Sequence, residues 1–292
     1  MQRAAEVQTR IHSLQELGDV VGALRSVSAA RVQQAHAVLD SVRQYTAIIQ
    51  DALGEAARAV ASLTSRDAPV EDSHGFVIAF GSEHGFVGAY NDRVLEHAAI
   101  QRQERDDLFV VGARSVLRAT ERRDRVSWSC AMATQIGGID EVALRIAERL
   151  GQLGGHGDLG RVVLVYTRSS GGSTWRIVTE TLLPFDLQPY VSPRMDRPKA
   201  LSNLQPRALL DGLITELLFA QLAHAATESF ASENAARLAS MDSASDNVTG
   251  KLDDLRRVER ELRQEEITTE LLDVVTGAEA ITNDGRGRRD AT

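Results

Sequence analysis

From Val7 onward the apolar positions recur at Ile11, Leu14, Val21, Leu24, Val32, Ala35, Leu39, Val42, Ile49 and Leu53. These intervals are threes, fours and their sums, so the residues fall on one face of a helix. A heptad seam drawn from Ile11 passes through Gly18, Arg25, Ser28 and Thr46. The stripe therefore drifts or accepts small residues, which predicts a slender helix pair in close approach. A helix over residues 5–62 would be roughly 85 Å long at about 1.5 Å per residue. Gly54 and the run from Thr64 to Pro69 mark where it ends. Near the other end, Leu238, Met241, Ser245, Val248, Leu252, Leu255 and Leu262 make a second three-four seam, interrupted by Glu259. Ile267, Leu271, Val274, Ala278 and Ile281 resume it one step out of register. Such a skip marks a point where a helix changes or loses its partner.

Between these flanks the pattern changes. Gly75 to Phe80, Leu108 to Val111, Val162 to Tyr166 and Arg176 to Leu183 are short apolar runs of strand length, most of them rich in Val and Ile. Asp92 to Gln101, Ser115 to Glu121 and Asp140 to Leu153 read as helices between them. This alternation predicts a mostly parallel sheet with right-handed crossovers. The loop Gly151 to Gly160 and the turn Ser169 to Ser173 punctuate it, the turn joining a hairpin. All six prolines lie from Pro69 to Pro206, five of them from Pro184 onward, and mark an extended connector. A proline inside a helix costs about 3 kcal/mol, so their absence from both flanks permits continuous helices there. The expected organisation is a coiled-coil helix over 1–68, an α/β domain and connector over 69–206, a second coiled-coil helix over 207–282 and a polar tail over 283–292.

Composition narrows the function. A formal charge of −8 argues against a primary nucleic-acid binder. No run of about 18 uncharged apolar residues is present to span a bilayer, so membrane contact is expected only through partners. Cys130 is the lone cysteine, which excludes an internal disulfide and a cysteine metal cluster. Residues Met1 to Arg10 lack the apolar core of a secretory signal, and a cytosolic or cytosol-facing protein is expected. Aromatic residues make up only 4%, in keeping with aliphatic helical seams.

No catalytic constellation emerges. Gly81 to Asn91 follows the first strand and opens a helix, where α/β folds bind ligands. Its glycines, Gly81, Gly85 and Gly88, fit neither the dinucleotide fingerprint nor a P-loop. The residues read instead as a tight strand-to-helix turn. Ser82 lacks the nucleophile elbow, and His12, His36, His74, His84, His97, His156 and His224 show no metal-ligand spacing. The mixed-sign run from Lys251 to Glu266 reads as a solvated helix face laced with ion pairs, or as a contact surface for a partner protein.

Two stretches carry a resemblance. Ser232 to Asn247, S-E-N-A-A-R-L-A-S-M-D-S-A-S-D-N, resembles the C-terminal signature S-E-x-A-A-R-M-x-A-M-x-x-A-x-x-N of the γ subunit of F-type ATP synthases. Arg263 to Ala280 is close to that family's R-Q-x-x-I-T-x-E-L-x-E-I-x-x-G-A-x-A. Arg10 to Ser13 with Val27 to Arg31 looks like its R-I-x-S and V-A-A-S-K, and Gly81 to Asn91 is similar to its S-S-D-R-G-L-C-G-x-F-N. The resemblance runs in order along nearly the whole chain. It implies an antiparallel coiled coil of the terminal helices with a Rossmann-like α/β domain at its base. It also implies the function of a central rotor shaft, turned by the membrane c-ring as ions cross and seated in a hexamer of α and β subunits. No cofactor and no catalysis by the shaft are implied, and the expected place is the cytoplasmic face of the bacterial inner membrane.

By resemblance, Arg263, Gln264, Ile267, Thr268 and Glu270 contact the β subunit. Gly81, Gly85, Gly88 and Asn91 form a loop in the foot, near the c-ring and the ε subunit. Arg237 and Met241 match the signature. The plain structural readings are helix-surface solvation for the first group, turn geometry for the loop and seam packing for Met241. The chain also departs from the family: Asp19 to Ser26 stands where a lysine-rich K-I-T-K-A-M-K-M is usual, and Glu265 and Glu266 replace small residues. These departures imply a divergent or second-copy subunit. A coiled-coil adaptor carrying an α/β domain, unrelated to rotation, is the alternative function.

Overall fold

The computed structural model describes residues 2–60, 74–155, 159–171, 174–185 and 205–287. The run Thr64 to Pro69, Gly172 and Ser173 of the hairpin turn, residues 156–158 of the loop and residues 186–204 of the connector lie outside them. The proline-free flanks form two helices, α1 over Gln2–Val60 and α5 over Pro206–Gly287. Gly54 does not end α1: it is buried within the helix, and the missing side chain costs only about 1 kcal/mol of propensity there. At the other end α5 continues to Gly287, past the start of the expected tail, because no proline intervenes.

The chain divides into two units, one of Met1–Leu24 with Met241–Thr292 and one of Arg25–Ser240. In the first unit two helical segments pair antiparallel. Gln8 Nε2 donates to Glu259 Oε1 at 3.2 Å, while ten residues further along α1 a Cβ on Gly18 would stand 3.4 Å from Val248 Cγ1. Moving up one helix moves down the other. Met241 and Val248 are buried in this seam with Val21, and Ile11, Leu14, Leu252, Leu255 and Leu262 are half-buried. Glu259 does not break the seam, as the sequence pattern had implied. It takes a seam position half-buried and spends its carboxylate on Gln8 and, at 3.8 Å, on Arg263.

The second unit holds the sheet. β1 (Phe76–Phe80), β2 (Asp107–Val111), β3 (Val126–Cys130), β4 (Val162–Gly171) and β5 (Thr174–Leu183) lie in the order β3-β2-β1-β4-β5. The first four are mutually parallel, and β5 closes an antiparallel hairpin with β4. Three helices connect them: α2 (Tyr90–Gln101), α3 (Ala113–Glu121) and α4 (Ile139–Gly155). β3 was not anticipated. Its residues alternate Val, Ser, Trp, Ser, Cys, because an edge strand covered on one face needs no continuous apolar run.

Side-chain alternation sorts the sheet into two cores. Phe76, Ile78, Phe80, Phe109, Leu164 and Tyr166 face α4, the middle of α5 and Ala35 and Leu39 of α1. Val77, Ala79, Val110, Val163 and Val165 face α2 and α3. From Ala225 to Arg237 every residue of α5 is buried, so this stretch is a core helix on all sides. A third cluster joins Ile49, Leu53 and Ala56 of α1 to Leu210, Leu217 and Ala220 of α5, again antiparallel. Small residues make the close approach possible: Ser28 and Ala35 are buried on α1, opposite an alanine-rich α5.

One 18-residue window of α5 between Pro206 and Leu272 meets the length and composition of a membrane span, with a mean hydropathy of 1.2, and a third of it is buried in the chain itself.

Phe230, 1% exposed at the centre of the first core, tests this packing. Phe230→Ala is expected to lower unfolding stability by about 3–5 kcal/mol in a denaturant titration. A loss below about 1 kcal/mol would mean that α5 does not pack on the sheet.

Candidate functional site

Strand order reverses between β1 and β4, which in open α/β sheets is where ligands bind. The loop Gly81 to Asn91 lies at this point. Its first turn is set by crowding: a Cβ on Gly81 would fall 2.1 Å from Ser115 Oγ, so only hydrogen fits. Gly112 has φ +103° and would bring a Cβ to 2.5 Å from the carbonyl oxygen of Ser82. Asn91 then closes the loop on itself. Ser82 N–H donates to Asn91 Oδ1 at 3.0 Å, and Asn91 Nδ2 donates to Ser82 Oγ at 2.8 Å. Glu83 reaches outward, its Oε2 accepting the backbone N–H of Ala113 at 3.0 Å and of Met132 at 2.7 Å. One carboxylate thereby caps the start of α3 and ties down the chain after β3.

The crevice that a ligand would enter is occupied by α5. Arg237, 4% exposed, donates through Nε to the Gly85 carbonyl at 3.1 Å and through Nη2 to the His84 carbonyl at 3.2 Å. Its Nη2 also meets Glu233 Oε1 at 2.6 Å, and its Nη1 meets Asn234 Oδ1 at 3.2 Å. The guanidinium fork thus spans two loop carbonyls and two side chains of its own helix. Burial pushes the Glu233 carboxyl above the usual carboxylate range, with Arg237 and the backbone N–H groups of His84 and Glu83 pulling the other way. Tyr90 completes the joint: its hydroxyl lies 2.7 Å from Thr167 Oγ1 on β4 and donates to the Ser229 carbonyl on α5 at 3.2 Å. Burial raises its pKa strongly, so it stays a phenol at any physiological pH.

Beyond the clamp the loop turns outward. Phe86 and Gly88 adopt left-handed backbone, φ +61° and +57°, and Phe86 is 70% exposed. A non-glycine residue in that region is uncommon, and here it carries an aromatic ring into solvent. With Asp92, Arg114, Arg118 and Glu121 this tip lines a hollow of about 220 Å³. Arg118 Nε holds Asp92 Oδ1 at 2.7 Å across it.

The expected residues therefore separate into three sets. Gly81, Gly85, Gly88, Asn91 and Arg237 come together at the strand-order reversal in the second unit. Met241 sits 3% exposed in the seam of the first. Arg263, Gln264, Ile267, Thr268 and Glu270 are all exposed along the last part of α5 in that same unit. With Gln8 opposite Glu259, the start of α1 at Gln2 falls opposite about residue 265 at equal rise on both helices. Past that level Ile267, Leu271, Leu272, Val274 and Val275 are 52–69% exposed. The skipped register in the sequence coincides with this level. Glu233, Glu83 and Tyr90 were not singled out from sequence as site residues; the alternation of the loop and signature motifs held no sign that they meet.

A family model described as ATP synthase matches residues 3–281. The ATP synthase gamma chain of Synechococcus sp. is 30% identical, the alignment covering 94% of this chain and 98% of that protein. The ATP synthase gamma chain of Caldanaerobacter subterraneus is 27% identical over 94% of this chain and 98% of its own length. In structure, the rotor of the Euglena gracilis mitochondrial ATP synthase aligns with a TM-score of 0.64 at 15% identity, over 91% of this chain and 99% of that one. The protein is thus a helical central-stalk component built on a Rossmann-like sheet. It belongs to the ATP synthase family, as a gamma subunit of a rotary F-type enzyme.

The clamp predicts its own failure. Arg237→Ala leaves Glu233 buried without its cation and is expected to cost about 3–5 kcal/mol of unfolding free energy. Replacing both partners, Glu233→Gln with Arg237→Met, should cost less than Arg237→Ala alone. Denaturant midpoints of the two variants check this, and equal losses would show that the pair is not coupled.

Proposed function

We propose that the chain carries torque and does no chemistry of its own. Ion flow turns a membrane c-ring, the chain turns with it inside a hexamer of alternating α and β subunits, and ATP hydrolysis in that hexamer drives the rotation backwards. The chain would sit peripherally on the cytoplasmic face of a bacterial inner membrane, with an ε subunit and the c-ring as its other partners. Arg263, Gln264, Ile267, Thr268 and Glu270 are assigned to contact with β. Gly81, Gly85, Gly88 and Asn91 shape a foot loop toward the c-ring and ε, with Phe86 at its tip.

The observation that carries this reading is the exposed apolar row on the last part of α5. Ile267, Leu271, Val274 and Val275 are 52–69% exposed, and an exposed apolar row of this kind calls for an external cover. An adaptor would also need a partner there, but family membership favours the hexamer. The stretch Asp19 to Ser26, in which Arg25 is the one cation left where the family is lysine-rich, weakens pairing with an acidic β loop by about 0.2–1 kcal/mol per lost exposed pair. We infer compensating charges in the cognate hexamer. Normal coupled activity with a standard hexamer would count against that inference.

Co-purification of the tagged chain from native membranes is expected to yield α, β and ε in a ratio near three, three and one per chain. A different set of proteins would overturn the reading. Substitutions at exposed positions on the last part of α5 supply a sharper test. Arg263→Ala with Ile267→Asp is expected to reduce coupled ATP turnover several-fold, while the melting behaviour of the isolated chain moves by no more than about 0.5 kcal/mol equivalent.

A further inference from the structure

A second buried carboxylate lies in the α/β unit, away from the loop and the signature. Glu228 on α5 is 1% exposed. Three basic groups converge on its Oε1: Arg43 Nη2 of α1 at 3.1 Å, Arg168 Nε of β4 at 3.6 Å and the imidazole Nε2 of His224 at 3.6 Å. Its Oε2 is buried with no hydrogen-bond partner. Behind them a chain of polar contacts runs through the sheet. Arg168 Nη2 donates to the Tyr166 hydroxyl at 2.9 Å, that hydroxyl donates to Glu180 Oε2 of β5 at 3.0 Å, and Gln221 Nε2 reaches Glu180 Oε1 at 3.4 Å.

We propose that this cluster is an acid-sensitive latch: a proton on His224 draws the Glu228 carboxylate away from Arg43 and frees α1 from α5 at that point.

The three partners of Glu228 are not equivalent. Arg168 is held by Tyr166, through both the hydroxyl and the ring 5.9 Å away, and stays with the sheet. His224 sits one turn before Glu228 on the same helix, its ring edge-on to Tyr166. Arg43 is more than half exposed and already shares Asp40 of its own helix at 3.2 Å. It can leave Glu228 without losing every partner. With His224 neutral, Arg43 and Arg168 stand against Glu228 and Glu180, with Asp40 beside Arg43 at the exposed edge. A proton on His224 sets a third cation against the buried Glu228 carboxylate, and Arg43, already half in water beside Asp40, is the one whose departure costs least desolvation. A protonated Nε2 also offers the Glu228 carboxylate a charged donor that can take the place of Arg43 Nη2.

Burial holds the His224 pKa below its ordinary 6.5, opposed by Glu228 and Glu180 and assisted by Arg168 and Arg43. The sign follows. The folded chain takes up this proton less readily than the unfolded one, so the contribution of neutral His224 to stability is complete above about pH 6.5 and declines as the pH falls below it. The latch is closed at neutral pH and opens in acid.

The test is amide hydrogen exchange in the full-length chain, with rates in α1 over residues 38–50 divided by their intrinsic values. Between about pH 7.5 and about pH 5.5 the protection of these amides is expected to fall about five-fold or more, while α2 amides hold theirs. His224→Gln should abolish the fall. Arg43→Gln, a change at an exposed position, should give the low protection at both pH values. Unchanged protection in the native chain overturns the latch, and so does an equal fall in His224→Gln, which would assign the titration to Glu228 or Glu180. The readout does not use the partners proposed above, so it stands or fails apart from the shaft reading.

Discussion

A guanidinium buried against backbone carbonyls is the constraint on which the α/β unit depends. Arg237 is 4% exposed, and the full desolvation of its charge is tolerated only because Glu233, Asn234 and the carbonyls of His84 and Gly85 all face it. That requirement propagates outward. The loop must present two successive carbonyls inward, which forces its tip through left-handed backbone at Phe86 and Gly88. The loop must also rise steeply from β1, which is why Gly81 and Gly112 are crowded by Ser115 and Ser82. Glycine, asparagine and arginine in these motifs thus answer one geometric demand from two sides.

The helix pair obeys a different constraint, small side chains at the contact. Gly18 against Val248, and buried Ser28, Ala35, Ala225 and Ala226, bring backbones near without large rings. Such a seam gains less from burial per residue than a leucine zipper, since each buried methylene is worth about 0.8 kcal/mol. Its strength must come from length. Its close approach was readable for that reason: small residues already stood in the heptad positions of α1. Glu259 was not readable, because a carboxylate in a seam looks like an interruption until Gln8 is seen across from it.

The sheet was legible where strands are covered on both faces. FVIAF in β1 and the VVLVY opening of β4 are continuous apolar runs, fully buried. VSWSC in β3 was not, since Ser127 and Ser129 face outward and five alternating residues at an edge carry little signal. The same limit hid the polar contacts. Arg237 stood in a recognisable motif, but its bond to Gly85 spans 152 residues of sequence, and Arg43 meets Glu228 across 185. Local pattern contains nothing about such pairs, which exist only once α5 lies over the sheet.

The strand-order reversal is where an open α/β sheet would take a ligand, and here it seats a helix of the same chain. In open α/β sheets the crevice there is vacant and polar backbone lines it, so a phosphate or a cofactor fills the gap. Here the chain fills it with Arg237, a cation that faces carbonyl oxygens where a phosphate-binding loop would aim N–H groups at an anion. The same loop also turns the backbone N–H groups of Glu83 and His84 toward the Glu233 carboxylate, so an ion pair of α5 stands where a ligand would, and the glycines serve close packing. A site of this kind gains in stiffness: the joint between helix and sheet is held by charged hydrogen bonds in low dielectric, where each is stronger than in water and cannot be exchanged for solvent. For a part that must transmit force, a crevice closed by its own side chain is mechanically preferable to one that a diffusible ligand enters and leaves.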